Sequence, residues 1–343
     1  MGFLRRIFAV FAALALCAGA CHASGAGTTS ANFLKIPAAP VPAALQAYTA
    51  LSGPDSVLYN PAGLGFMNFA ALSAAHNQYI SGLRQEYAAF AMNTNIGTFA
   101  VAASFLGSGS FDAYDAGGNP AGQTSSSHMM GIISYAQSFP HWNRDRGSQD
   151  PQLPLAGWAR LEDLGKYRRI YKRVSVGASL RYFHERLDDV SSSGVTADAG
   201  VAVSPSRKLV LAASVLNITG KQDFGGGGFD LPRTIRAGAA TDFVAVKRLM
   251  VFAPSADYVK EQDAAGYFCA GLGVSALELF SIRAGMRFDR DIGNGLSLGL
   301  GLDLDSLSAE KSSLFSDMRI DYSWSDEGDM GFSQRLGLQL LFL

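Results

Sequence analysis

The sequence predicts an all-β chain, an antiparallel transmembrane β-barrel of about fourteen strands behind an N-terminal stretch that does not alternate. Three observations carry this. Residues 296–304 read L-S-L-G-L-G-L-D-L, with leucine at every even position and Ser297, Gly299, Gly301 and Asp303 between. A strand turns successive side chains to opposite faces, so this stretch has one apolar face and one small, polar face. Its nine residues suit a tilted bilayer crossing, whereas a helix would scatter the leucines around its circumference. The alternation recurs over most of the chain after Phe69, and the chain opens on an export signal.

Composition supports the same class. A single soluble core strains at 343 residues, but a closed barrel takes its size from strand number. Charged residues are 17 %, against roughly 25 % in soluble domains. Glycine contributes 38 residues, above the usual share of about 7 %. The formal net charge of −1 offers no basic field, which excludes nucleic acid as a partner.

Residues 1–23 form the signal. Arg5 and Arg6 precede an apolar run over 7–16, and small residues lead to cleavage near Ala23. A lipoprotein signal using Cys21 is the alternative, disfavoured because Ala18 stands where a leucine is usual. With Cys17 and Cys21 in the signal, Cys269 has no partner for an internal disulfide. No later stretch is apolar enough for a helical span. Export without such a helix points to the bacterial outer membrane.

Residues 24–66 carry Pro37, Pro40, Pro42, Pro54 and Pro61, with a short helix predicted over 43–50 and turn chemistry at Asn60-Pro61. They are either an arm on a soluble domain or a plug inside a barrel. Strands are predicted at 69–77, 85–93, 97–105, 128–138, 174–185, 195–204, 209–217, 233–243, 249–258, 265–274, 280–289, 296–304, 316–324 and 334–342. Ile282, Ala284, Met286 and Phe288 oppose Arg283, Gly285, Arg287 and Asp289; Met318, Ile320, Tyr322 and Trp324 oppose Asp317, Arg319, Asp321 and Ser323. A soluble sandwich would reverse these faces. Strand count, strand length and the signal favour the barrel, whose inward arginines and aspartates then need each other or water. Connections 106–127, 218–232 and 325–333 are long and fall outside; 94–96, 205–208 and 244–248 are short and periplasmic. Residues 139–173 break the rule as a long periplasmic insertion.

Few stretches suggest chemistry. Within that insertion, 156–173 is basic and amphipathic, fit for docking to lipid or a periplasmic partner, or for a solvated cap. The run Gly225 to Gly228 lacks a strand–turn–helix setting and reads as an outer loop, as does 113–122. The histidines have no metal spacing. His128 and His184, with Glu185, Asp188 and Asp189 near, admit an outer-rim hydrolase, but ordinary rim residues account for them better.

Several stretches together resemble PorV/PorQ-type proteins of the FadL-like outer-membrane barrels. These are T-T-S-A-N-F-L-K-I (28–36), A-Y-T-A-L (47–51), L-Y-N-P-A-G-L (58–64), the loop over 114–122, S-V-G-A-S-L-R-Y-F-H-E-R-L (175–187), F-D-L-P-R-T-I-R-A-G (229–238) and D-Y-S-W-S-D-E-G-D-M-G (321–331). The resemblance implies a fourteen-stranded barrel over 67–343 occluded by an N-terminal hatch over 24–66. It carries Asn60, Pro61 and Ala62 onto the family's hatch motif, where they serve first as a structural turn. The insertion at 139–173 and a final Leu343 after Phe342 depart from the family pattern. The resemblance implies passage of hydrophobic small molecules such as long-chain fatty acids or, in PorV-like members, an adaptor role in protein secretion or surface attachment. The expected partners are outer-membrane lipid, a hydrophobic ligand such as a fatty acid, and a periplasmic or secretion partner. No cofactor, metal or enzymatic activity is expected.

Overall fold

In the computed structural model the described residues are 27–67, 69–139, 173–206, 208–245, 250–277, 279–288, 295–304 and 317–342. The predicted signal over 1–23 lies outside them, as does the predicted insertion at 139–173 with its basic stretch 156–173, save the strand residues Phe139 and Arg173.

Alternation builds the wall. Its strands are β1 (Ala70–Gln78), β2 (Arg84–Thr94), β3 (Gly97–Tyr114), β4 (Pro120–Phe139), β5 (Arg173–Leu187), β6 (Val190–Ser204) and β7 (Leu209–Leu216). They continue with β8 (Thr234–Thr241, resumed as Phe243–Ala245), β9 (Met250–Glu261), β10 (Tyr267–Ala276), β11 (Phe280–Arg287), β12 (Leu296–Asp303), β13 (Asp317–Asp326) and β14 (Phe332–Phe342). Each strand pairs antiparallel with the next in sequence, and β14 pairs back onto β1 with Ala70 opposite Phe342. The ring is therefore closed, with fourteen staves among the described residues, as the periodicity predicts. Closure removes the unpaired strand edges that an open sheet would expose.

The faces are as predicted. Leu296, Leu298 and Leu300 point outward, while Ser297 and Gly299 point into the bore. Outward residues make a broad apolar belt that includes Phe99, Ile133, Leu180, Ile282 and Leu338. A soluble surface rarely carries a contiguous apolar patch beyond a few hundred Å².

Three expectations are corrected. The helix begins at Pro40 (α1, Pro40–Leu45) rather than after Pro42, because a proline in the first helical turn lacks only an N–H that would be unpaired anyway. The stretch 106–127 is a strand hairpin, not an open loop. Beyond the Gly107–Arg84 pair β3 leaves β2, and with β4 it projects past the rim to a turn at Asp115. There Asp115 Oδ1 accepts from the N–H groups of Gly117 (2.8 Å) and Asn119 (2.9 Å), which fixes the turn. Both faces of the projecting part are largely exposed, so no buried apolar face alternates with a polar one and periodicity could not show it. The 218–232 connection also contains a small ribbon, Lys221–Gln222 against Phe229–Asp230.

The outward belt can be tested. Leu300, 58 % exposed in mid-strand, is expected on replacement by arginine to destabilise the barrel in bilayers by about 2–4 kcal/mol. Urea unfolding of vesicle-inserted protein measures this.

Candidate functional site

The bore is occupied by the chain's own N-terminus. Residues 27–67 run through it as irregular backbone interrupted by short helices: Asn32–Lys35, α1, Pro54–Leu58 and Pro61–Phe66. Through close contacts and hydrogen bonds the segment reaches all fourteen strands. Such a backbone leaves carbonyls without partners, and buried carbonyls need donors. The wall supplies them. Ser175 Oγ donates to Ala62 O (2.6 Å), Ser214 Oγ to Tyr59 O (2.6 Å) and Ser255 Oγ to Ala47 O (2.9 Å). Arg335 Nε donates to Pro37 O (2.8 Å), and one Arg181 nitrogen donates to Val57 O and Leu58 O (both 3.2 Å).

One wall carboxylate works the other way. Asp257 Oδ2 accepts from the N–H groups of Tyr48 and Thr49 (both 3.0 Å) and from Thr49 Oγ1 (2.6 Å). Arg236 completes this cluster. It reaches Thr49 Oγ1 at 3.0 Å and Asp257 at 3.3 Å, and its guanidinium lies over the Tyr59 ring. The predicted cross-strand charge pairs are present: Arg181–Asp198, Arg236–Asp257 and Arg283–Asp321. The last pair spans β12 over Gly301, where a Cβ would come within 2.5 Å of the Asp321 carboxylate.

Asn60, Pro61 and Ala62 are brought together as a pin. Asn60 Oδ1 accepts from Ala62 N (3.0 Å), capping the helix that Pro61 opens. Its amide donates to Thr49 O (3.0 Å) and Val201 O (3.3 Å), tying two parts of the segment to β6. The wall has no room for side chains there. A Cβ on Gly200 would lie 1.9 Å from Asn60 Oδ1, and one on Gly177 would lie 2.5 Å from the Pro61 and Ala62 backbone.

At the rim bearing the β9–β10 turn the segment begins as a strap. Lys35 Nζ pairs with Glu261 (3.0 Å) and Asp263 (3.1 Å), Thr29 Oγ1 donates to Asp263 (2.5 Å), and Ser30 N donates to Asp230 O (3.0 Å). Between these ties the Phe33 ring sits 5.0 Å from the His128 ring and 6.5 Å from that of Phe183, with Ala31 and Leu231 completing an apolar cage. Sequence reasoning missed Phe33, because nothing in its spacing marks a residue that binds far from its neighbours.

The two histidines of the hydrolase reading are on opposite faces of the wall. His128 points inward beside Glu185 (3.4 Å), which Gln222 also contacts at 2.8 Å. His184 points outward and bonds Ser193 (2.8 Å). The glycine run wraps its own carboxylate: Asp223 Oδ1 accepts from the N–H groups of Gly225 (2.7 Å), Gly226 (3.1 Å) and Gly227 (3.2 Å), which holds that carboxyl below its ordinary range. No cluster of metal-ligating side chains occurs among the described residues.

No protein-family model and no curated relative matches the sequence. Solved structures do. The TodX deltaS2S3 mutant monoaromatic hydrocarbon channel matches with TM-score 0.53 and 10 % identity over 89 % of this chain and 98 % of its own. The fold, a closed fourteen-stranded antiparallel β-barrel, is shared with this channel. The CymD monoaromatic hydrocarbon channel matches with TM-score 0.50 and 12 % identity over 89 % of this chain and 96 % of its own. The Pseudomonas putida toluene transporter TodX matches with TM-score 0.50 and 11 % identity over 88 % and 95 %. These neighbours are channels and transporters for hydrophobic molecules, not enzymes.

Two outcomes follow for the segment. Replacing Asn60 by alanine leaves Thr49 O and Val201 O without this donor and is expected to weaken docking by about 1–3 kcal/mol. Hydrogen exchange over 48–66 reads the loss, and Gly200→Val should exceed it. The strap has a defined pH sense. Burial alone would raise the Asp263 carboxyl, but the Thr29 hydroxyl and Lys35 outweigh it and hold it below the ordinary range. Its contribution is present above the ordinary carboxylate pKa and is lost as pH falls through the lowered value. Exchange over 28–36 should therefore accelerate in acid, and Lys35→Met should reduce that acceleration.

Proposed function

We propose that this protein is an outer-membrane channel for uncharged hydrophobic small molecules, with residues 24–66 as its hatch and Asn60, Pro61 and Ala62 as the hatch pin. The cage around Phe33 carries this reading. An aromatic side chain from the chain's own N-terminus occupies an apolar site at the mouth, so a ligand of similar size and chemistry can take its place. Two of the neighbours are named monoaromatic hydrocarbon channels, which supports that ligand class. The outward apolar belt supports residence in the outer membrane.

The mouth favours neutral ligands over long-chain fatty acids. Lys35 is held by two carboxylates, Lys221 by Asp230, and Glu185 stands beside His128 next to the cage. A fatty-acid carboxylate arriving there meets acidic groups and paired lysines. The PorV/PorQ resemblance suggests a second reading, an adaptor in secretion or surface attachment. The β3–β4 hairpin that projects past the rim favours it.

Toluene flux into vesicles carrying the full mature chain tests the first reading. The expected result is flux above that of empty vesicles, raised severalfold by Phe33→Ala. No flux in either protein overturns it. Capture of a secreted protein that depends on residues 108–125 would then support the adaptor.

A further inference from the structure

Inside the bore one acidic side chain stands apart from the ion pairs. Asp55, in the short helix Pro54–Leu58 of the hatch, is wholly buried. Its Oδ2 accepts from Gln339 Nε2 of β14 at 3.1 Å. The hydroxyls of Ser73 on β1 and Tyr87 on β2 face the same carboxyl. Asp55 Oδ1 has no hydrogen-bond partner, and neither has Gln339 Oε1.

No cation comes to its aid. β3, which also meets this helix, presents the small buried side chains Ala100 and Ala102. The remaining titratable groups nearby are Tyr48 and Tyr59 of the segment and Asp321 of β13, whose charge opposes a second negative one. Among the described arginines of the bore, Arg181 is committed to Asp198, Arg236 to Asp257, Arg283 and Arg319 to Asp321, Arg335 to Pro37 O and the hydroxyls of Ser325 and Ser333, and Arg287 lies over the Tyr267 ring. Among the described residues no lysine or arginine forms an ion pair with Asp55. A buried carboxylate without a cation is costly, whereas the neutral acid is not. A proton on this carboxyl also gives the Asp55–Gln339 pair a donor for acceptors that now have none.

We propose that Asp55 is a proton-operated latch, holding the N-terminal segment against β1, β2 and β14 when neutral and loosening it when ionised. This rests on the segment being a hatch. Burial pushes the Asp55 carboxyl up from 3.8 to about 6. A group raised in the docked state favours docking fully below its free value, and the advantage is lost as pH rises through the raised one. The latch is therefore strongest in acid and weakens by up to about a hundredfold between pH 4 and pH 8. Its sense is opposite to that of the Lys35 strap, so the two are separable in one titration.

Hydrogen exchange over residues 53–62 of the full mature chain in micelles, corrected for intrinsic pH dependence, tests this from pH 5 to pH 8. The wild type should lose protection with a midpoint near 6, and Asp55→Asn should stay protected throughout. Gln339→Leu removes a bond that favours the carboxylate, so its midpoint should move to higher pH. Infrared spectroscopy of the wild type gives a readout independent of any variant: a buried protonated-carboxyl band should fade over the same range. Protection with no pH dependence in the wild type, or the same dependence in Asp55→Asn, overturns the latch. Toluene flux followed alongside separates the two readings. Exchange that follows Asp55 while flux ignores it keeps the latch and removes the hatch; exchange that ignores Asp55 removes the latch whatever the flux does.

Discussion

The structure depends on satisfying irregular backbone inside a closed ring. A barrel pairs its strand edges with their neighbours, so the wall offers its contents mainly side chains, with Val201 O a main-chain exception. The N-terminal segment, broken by proline, pairs only part of its carbonyls within itself. Inward side chains of the wall meet others, serine and arginine at Ser175, Ser214, Ser255, Arg181 and Arg335. The charge of the bore thus has a double use. Arg181 and Arg236 each pair with a wall aspartate and also hold the segment.

The inward glycines answer the same constraint sterically. At Gly177, Gly200, Gly271, Gly285 and Gly337 a Cβ would run into residues of the segment. The small residues between the leucines of β12 are part of this: Gly299 clears room for Ala44, and Gly301 clears room for the Arg283–Asp321 pair. A face that looks merely small in the sequence is the complement of a second piece of chain. Asp55 is the exception inside this arrangement. It is an acid that the wall meets with hydroxyls and an amide, where Asp198, Asp257 and Asp321 each meet an arginine.

Much of this was legible before any coordinates. Strand number, and the setting of the leucines of β12 and of Arg181, Arg283 and Arg319 on faces opposite to their chain neighbours, follow from a period of two. The same signal went silent where a strand is largely exposed on both faces, as between Ser108 and Tyr114. The start of α1 was misplaced because Pro40 and Pro42 look like breakers when they are first-turn residues. The pin at Asn60 was visible as a turn, but its hold on Val201, 141 positions away, was not.

By itself, the sequence determined that a long run of half-apolar strands must bury or display one greasy face. It also determined the order in which they pair, because short antiparallel connections leave little choice. Which side faces outward, what fills the middle, and which groups meet there were decided by closure of the ring. Phe33 against His128, Thr49 against Asp257 and Asp55 against Gln339 are contacts between residues 95 to 284 positions apart. Periodicity is a local property of the backbone, and it holds no record of which distant side chain a closed wall will set opposite another.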